Sequence, residues 1–498
     1  MSRIGGMRGF LACSISVTCA AALALPLTLP AAPATARPGA TAGPGVAEEA
    51  QSPGIPGSTQ SLPLVPLTDD RSLGSATVQG LPRRDVRHFS MVGVVWDDPD
   101  AELHGQVQVR TRTAATGTWS DWQDVETHNA DHAADPGTEE RASGRVRGAT
   151  APLWVGESDG VEVRVRAVPA EDAHAPSQGQ EQGLGVAEEE PAYDTSSSQD
   201  GDRGLASRAA LPAGLRLELI DPGGSDDTPA QGAPAASSRL GTLTPETIAA
   251  SEPNAALAPL GATEIPALDR EATERELSTL SALGATELTA DQRAKPKIGP
   301  RPTIVTRRGW GADESLREKT FIYTKKVKAA FVHHSATGNG YTCSQAPSVI
   351  RGIYRYHVKS MGWRDIGYNF VVDKCGNIYE GRAGGVAKPV MGAHTLGFNS
   401  NSMGIAVLGT FSSAGPTKAT VKALGRLTAW KLGLYGGNPR GKTYLKSGGG
   451  NLYAKGKNVR LNVISGHRDG FPTECPGRKL YGKLGSVRGY AAYYQGRE

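Results

Sequence analysis

Charge is divided so unevenly along this 498-residue chain that a single uniform domain is excluded. From Arg301 to Glu498 there are 31 Lys+Arg against 9 Asp+Glu, a net of +22. The whole chain holds 54 basic and 50 acidic residues, so residues 1–300 keep 23 and 41, a net of −18. An even surface does not split in this way, and at roughly 100–200 residues per domain the length allows two or three units. Gly 63 and Pro 33 together make about a fifth of the chain, between a globular average of roughly 12% and the roughly 25–30% of a wholly disordered chain. Folded domains joined by loose segments satisfy both observations.

Residues 1–36 have the pattern of a secretory signal. Arg3 and Arg8 precede an apolar run from Phe10 to Leu29, and Ala34-Thr35-Ala36 offers a small-x-small cleavage site. Pro26 and Pro30 interrupt the run, and no other stretch approaches the ~20 apolar residues that span a bilayer. The expected location is secreted, extracellular or cell-wall associated. Cys13 and Cys19 would leave with the signal, placing Cys343, Cys375 and Cys475 in an oxidising compartment.

Residues 37–80, rich in Ala, Gly, Pro, Ser and Thr, are expected to be disordered. Residues 81–221 read as an all-β, antiparallel, sandwich-like domain. Gln106–Thr113 and Val161–Val168 alternate apolar with polar residues, Met91–Trp96 is an apolar run, and Leu215–Ile220 alternates again. An acidic, low-complexity insertion interrupts this domain at about 170–210. His128 and His132, four apart and beside Asp131, have a spacing that invites a metal reading, but they fall in a polar loop stretch and receive no role. Residues 222–299 read as a disordered linker, with a short helix expected over Asp269–Leu283. Residues 300–498 mix strands at Val327–His334, Ile366–Val372, Asn377–Glu380, Met403–Leu408 and Arg460–Ile464 with helices at Ser344–Ser360, Thr417–Leu434 and Arg478–Tyr494. That alternation indicates one α/β domain, with 437–458 as a Gly/Lys-rich loop.

Five of the ten histidines lie in this last domain: His333, His334, His357, His394 and His467. Two imidazoles and the thiolate of Cys475, eight residues after His467, suit the borderline Zn²⁺ ion, and three protein ligands with one open position make a catalytic rather than a structural site. Cys343 and Cys375 are then left to pair. His333 and His334 cannot be told apart on this basis, because neighbours on a strand point to opposite faces.

The ordered stretches Arg308-Gly309-Trp310-Gly311-Ala312, Phe331-Val332-His333-His334-Ser335-Ala336, Gly362-Trp363-Arg364-Asp365-Ile366-Gly367-Tyr368-Asn369-Phe370, Tyr379-Glu380-Gly381-Arg382, Gly392-Ala393-His394-Thr395 and Gly466-His467-Arg468-Asp469 through Cys475-Pro476-Gly477 carry a resemblance. Over residues about 303–490 the chain resembles the peptidoglycan recognition proteins and the type 2 zinc N-acetylmuramoyl-L-alanine amidases. The β region resembles, more loosely, the N-terminal modules of large secreted actinobacterial members. The resemblance implies an α/β fold with a mixed central sheet flanked by helices. It implies one catalytic zinc on His333, His467 and Cys475, with Tyr368 and Thr473 as catalytic residues. His334, Trp363, His394, Asn399 and Arg382 become candidates for contact with substrate, Arg382 through a stem-peptide carboxylate. The implied activity is hydrolysis of the amide between N-acetylmuramic acid and L-Ala; the alternative is a recognition protein that binds peptidoglycan without cutting it.

The basic domain suits anionic wall polymers as well as peptidoglycan and muropeptides. No nucleic-acid motif accompanies its charge, and a monomer is expected. The opposite charges of the two halves suggest that the acidic half docks on the basic one and restrains it.

Overall fold

The computed structural model describes residues 57–67, 78–168, 210–224, 243–284 and 288–498. The expected signal segment, most of 37–80, nearly all of the acidic insertion and residues 225–242 of the expected linker lie outside them. The chain is multidomain: an all-β unit is followed by an α/β unit.

The β unit comprises β1 (Ser58–Pro63), β2 (Val65–Pro66), β3 (Val78–Trp96), β4 (Gly105–Thr113), β5 (Gln123–Val125), β6 (Gly148–Ala149), β7 (Leu153–Ala167) and β8 (Arg216–Asp221). Every pairing among them is antiparallel, in the order β1-β8-β3-β7-β4-β5, with β2 and β6 added along β3. The alternation seen in the sequence sets the faces. Val107, Val109, Val161, Val163, Val165, Leu217 and Leu219 point into one apolar cluster, while the residues between them face away from it, Glu218 onto the hydroxyls of Ser61 and Ser360. Register shifts at Leu81/Arg84, Asp85/Phe89 and Phe89/Met91 bend the long β3. Residues 58–66 depart from the expected disorder. Their small-residue composition hides Leu62 and Leu64, which pack on the core, and β1 forms a six-residue ladder with β8.

The α/β unit begins earlier than expected. Helices α1 (Pro245–Ser251), α2 (Arg270–Ala282) and α3 (Ala290–Ala294), with strand β9 (Glu264–Ile265), occupy much of the stretch read as a linker. Each helix is capped at its start by Thr244, Asp269 or Thr289, whose side chains accept from backbone N–H groups. Ile265, Leu277, Leu280, Leu288 and Ile298 join the same apolar cluster as Leu427 and Trp430. Apolar residues in this stretch are too sparse to suggest a core by themselves; they complete one whose other half lies 150 residues away.

A seven-stranded sheet follows the order β17-β11-β14-β12-β13-β10-β9, where β10 is Ile304–Val305, β11 Ala329–His334, β12 Phe370–Val372, β13 Ile378–Glu380, β14 Ser402–Val407 and β17 Ile464–Gly466. The pairs β17/β11, β11/β14, β14/β12 and β13/β10 are parallel, and β12/β13 and β10/β9 antiparallel, so the sheet is mixed. Helix α4 (Ala346–Arg355), continued by a π-turn at Tyr356–Ser360, belongs to one apolar cluster, and α5 (Lys418–Gly433) and α7 (Leu484–Tyr494) belong to another. The short α6 (Arg478–Tyr481) precedes α7, where one continuous helix was expected. Residues 437–458, read as a loop, supply β15 (Lys442–Lys446), which pairs with β16 (Asn458–Asn462); only Leu445 of β15 is buried, so no apolar pattern announced it.

Candidate metal centre

Strands β11 and β17 run parallel with Val332 opposite Gly466, so their carboxyl ends deliver His333 and His467 to one place. Sites in open α/β sheets assemble at such ends. After β17 the chain makes a tight turn at His467–Asp469, braced by Asp469 Oδ2, which accepts from Gly466 N at 3.0 Å. Arg468 N then donates to Cys475 O at 3.1 Å and returns Cys475 beside the histidines.

His333 Nδ1 lies 3.1 Å from His467 Nδ1 and 3.8 Å from Cys475 Sγ. A fourth donor comes from the β unit: His132 Nε2 is 3.3 Å from His333 Nδ1 and 3.7 Å from Cys475 Sγ. All four ligand atoms fall within 4.8 Å of one another. A tetrahedral zinc with bonds of about 2.05 Å to N and 2.3 Å to S requires edges of about 3.4 Å for N···N and about 3.6 Å for N···S. The four separations involving His333 or His132 given above sit within a few tenths of an ångström of those edges. The donors are also in the right form. Burial, reinforced by the neighbouring imidazoles, holds His333 well below the ordinary histidine range, and burial lowers His467 to about 3, so both rings are neutral and ready to coordinate. Burial pushes the Cys475 thiol up, so a cation at the centre is what would draw off its proton. The residues present therefore fit a zinc ion.

Partners behind the donors fix their orientation. His132 Nδ1 pairs with Asp131 Oδ1 at 3.0 Å, and Asp131 Oδ2 is 3.5 Å from His467. Burial works against the Asp131 charge, but the His132 and His467 rings hold its carboxyl below the usual carboxylate range. His333 Nε2 lies 3.3 Å from His394 Nδ1 and 3.4 Å from Thr395 Oγ1.

The other expected site residues divide into two groups. Tyr368 stands next to the donors, its ring centroid 5.6 Å from His333 and 5.9 Å from His132. Burial drives its phenol well above the ordinary tyrosine range, so it stays a proton donor. Thr473 accepts from Cys475 N at 3.1 Å and hydrogen-bonds Asp131. His334 is not among the clustered donors: its side-chain Nδ1 has no partner, while its backbone hydrogen-bonds Cys475. His394, Asn399 and Trp363, expected against substrate, are buried and already satisfied by protein. His394 backs His333; Asn399 Oδ1 accepts from the backbone N–H groups of His394 (2.7 Å) and Thr395 (3.1 Å); Trp363 packs on His357 with centroids 4.5 Å apart. Arg382 forms a two-pronged pair with Glu140 of the β unit, both contacts 2.9 Å. Cys343 and Cys375 form a disulfide, joining the loop before α4 to the β12–β13 turn. The sequence reading missed His132 and Asp131. The adjacent Asp and His were visible, but nothing in a chain separation of 201 residues ties His132 to His333.

Two family profiles match the chain. One, N-acetylmuramoyl-L-alanine amidase, covers residues 323–478; the other, Rv3811 N-terminal galactose-binding domain-like, covers 44–184. Peptidoglycan-recognition protein SC2 of Drosophila simulans is 31% identical over 182 residues, 36% of this chain and 84% of the relative. The human N-acetylmuramoyl-L-alanine amidase is 30% identical over 215 residues, 43% of this chain but 32% of the relative. Among solved structures, wild-type Drosophila PGRP-LB matches at 26% identity and a TM-score of 0.29, covering 37% of this chain and 92% of that one.

Proposed function

Because the chain belongs to the family of peptidoglycan recognition proteins and N-acetylmuramoyl-L-alanine amidases, we propose that it is a secreted zinc amidase that cuts the amide between N-acetylmuramic acid and L-Ala. The observation that carries this reading is the convergence of His333, His467 and Cys475 with Tyr368 beside them. Zinc, when bound, supplies a Lewis acid for the amide carbonyl and activates water. The chain's own residues do the rest. Tyr368, kept protonated by burial, donates a hydrogen bond to the oxygen on which charge develops or to the attacking water. Thr473, whose hydroxyl accepts from Cys475 N and donates to Asp131, holds the thiolate ligand and the carboxylate in place. Asp131, held ionised and only 2% exposed, keeps the imidazoles oriented. Among the described residues no helix is long and apolar enough to cross a membrane. The excess of lysine and arginine in the α/β unit supports residence in an anionic wall.

The test is incubation of the full chain with soluble muropeptides, zinc-loaded and chelated, with the metal content measured alongside. Release of free stem peptide that needs the metal is the expected result, slow from the wild type and faster once the loop described below is displaced. Tyr368→Phe should keep its zinc and lose roughly 10²–10⁴ in rate. A zinc-loaded chain that binds muropeptide but releases no stem peptide, with or without the variant His132→Ala described below, leaves recognition without hydrolysis as the function.

A further inference from the structure

A zinc hydrolase leaves one coordination position open for water and substrate. Here that position faces His132, which belongs to the loop between β5 and β6 of the other folding unit. Its Nδ1 is taken by Asp131, so its bare Nε2 is the atom directed at His333 and Cys475. His132, His333, His467 and Cys475 are 5%, 0%, 0% and 3% exposed, so the centre is sealed from solvent.

The rest of the loop occupies the ground around the centre. Asp131 O accepts from Leu396 N at 3.0 Å, and Ala133 O accepts from Asn399 Nδ2 at 2.8 Å. Asp135 Oδ1 accepts from Gly397 N at 2.8 Å and Asn399 Nδ2 at 2.6 Å. Glu140 takes both prongs of Arg382 and also the backbone N–H of Arg364 at 3.1 Å. The segment thus presents backbone carbonyls and carboxylates along the α/β unit and ends on a buried guanidinium. That is the chemistry of an acidic peptide, the same chemistry that a stem peptide offers.

We propose that in the resting chain His132 is a fourth metal ligand and the segment 129–140 lies in the substrate cleft, holding the catalytic centre closed until the loop is displaced. The consequence for catalysis rests on the amidase reading; the ligand assignment does not. A ligand tethered in the same chain competes at an effective concentration in the millimolar range or above, so a small soluble substrate does not displace it unaided. What opens the site must act on the β unit, by cutting the loop or by binding that pulls it away.

Two measurements on the full chain test this, and one of them does not depend on turnover. Zinc-edge X-ray absorption of the wild type should show one sulfur and the outer-ring scattering of three imidazoles. One sulfur with the outer-ring scattering of only two imidazoles would overturn the fourth-ligand assignment. In the cobalt-loaded chain, azide should leave the visible spectrum of the wild type unchanged at concentrations that shift the spectrum of His132→Ala. Equal shifts in both would overturn the closed site. Glu140→Gln, which keeps every metal donor but weakens the clamp on Arg382, should respond to azide between the two, and it carries the test if His132→Ala does not fold. A Glu140→Gln chain as silent as the wild type would count against the segment's role. With zinc, His132→Ala should release stem peptide from soluble muropeptide at least about tenfold faster than the wild type. If no variant releases stem peptide while the azide pattern holds, the amidase reading fails and the fourth ligand stands.

Discussion

Glu380 shows how one buried carboxyl ties the segment before the sheet to the rest of the α/β unit. It is 2% exposed on β13, accepts from Asn254 Nδ2 at 2.8 Å and from Arg307 N at 3.3 Å, and its backbone oxygen accepts from Trp310 Nε1 at 2.7 Å. Burial is the largest influence on it and outweighs those donors, raising its pKa from the ordinary 4.5 to about 7. The folded carboxyl therefore holds a proton that the unfolded chain releases near 4.5, and folding takes up a proton between the two values. Its contribution to stability is most favourable below about pH 4.5, declines as pH rises to about 7, and is constant above. Urea titrations at pH 5 and pH 8 on the wild type and Glu380→Gln check this. The variant should lose less stability than the wild type on going from pH 5 to 8, and an unchanged difference would mean that the carboxyl is ionised throughout.

At the level of elements, the long strands of the β unit were legible because a half-buried strand must alternate, and Val107–Val109, Val161–Val165 and Leu217–Leu219 do so, whereas β11 and β14 of the α/β unit, buried throughout, were legible as continuous apolar runs. The His333, His467 and Cys475 set was legible through its motif context. The helices α1 to α3 were legible only in part, since a short helix was expected over Asp269–Leu283 but the apolar cluster it joins, with Leu427 and Trp430, is remote in sequence. Leu280 makes the point testable. It is 3% exposed, so Leu280→Ala should lower stability by about 2–5 kcal/mol if α2 belongs to the core, and by no more than about 0.5 kcal/mol if the segment is a tether. Chemical denaturation of the full chain distinguishes the two values.

On the scale of the whole molecule, the opposite net charges of the two halves pointed toward docking but did not locate it. The Glu140–Arg382 pair, with Glu139 3.6 Å from Arg364, follows the charge split, while Arg145 with Glu318 reverses it. Most of the joint is apolar: Met91, Val95, Trp154 and Ile220 of the β unit share one cluster with Tyr354, Tyr356, Trp363 and Tyr368. Tyr356 O–H donates to Thr150 O at 3.1 Å and to Val94 O at 3.3 Å, and Ser360 donates to Glu218 at 2.8 Å. Domains that share a buried apolar cluster lose the independent motion expected across a small polar interface. Thermal unfolding should accordingly be a single transition. Gly93 on β3 supplies the perturbation, because a Cβ there would stand 2.4 Å from the Tyr356 hydroxyl and 2.5 Å from its ring carbon Cζ. Neither atom can retreat without giving up the bonds to Val94 and Thr150, so Gly93→Ala strains the joint. Overpacking of this kind costs about 1–3 kcal/mol. Calorimetry of Gly93→Ala should show the single transition lowered or split in two, with the lower component belonging to separation of the units. The same variant should admit azide to a cobalt-loaded centre that the wild type keeps closed, because the loop carrying His132 is anchored by this joint. A Gly93→Ala chain that melts as the wild type does would mean that the units are held together elsewhere.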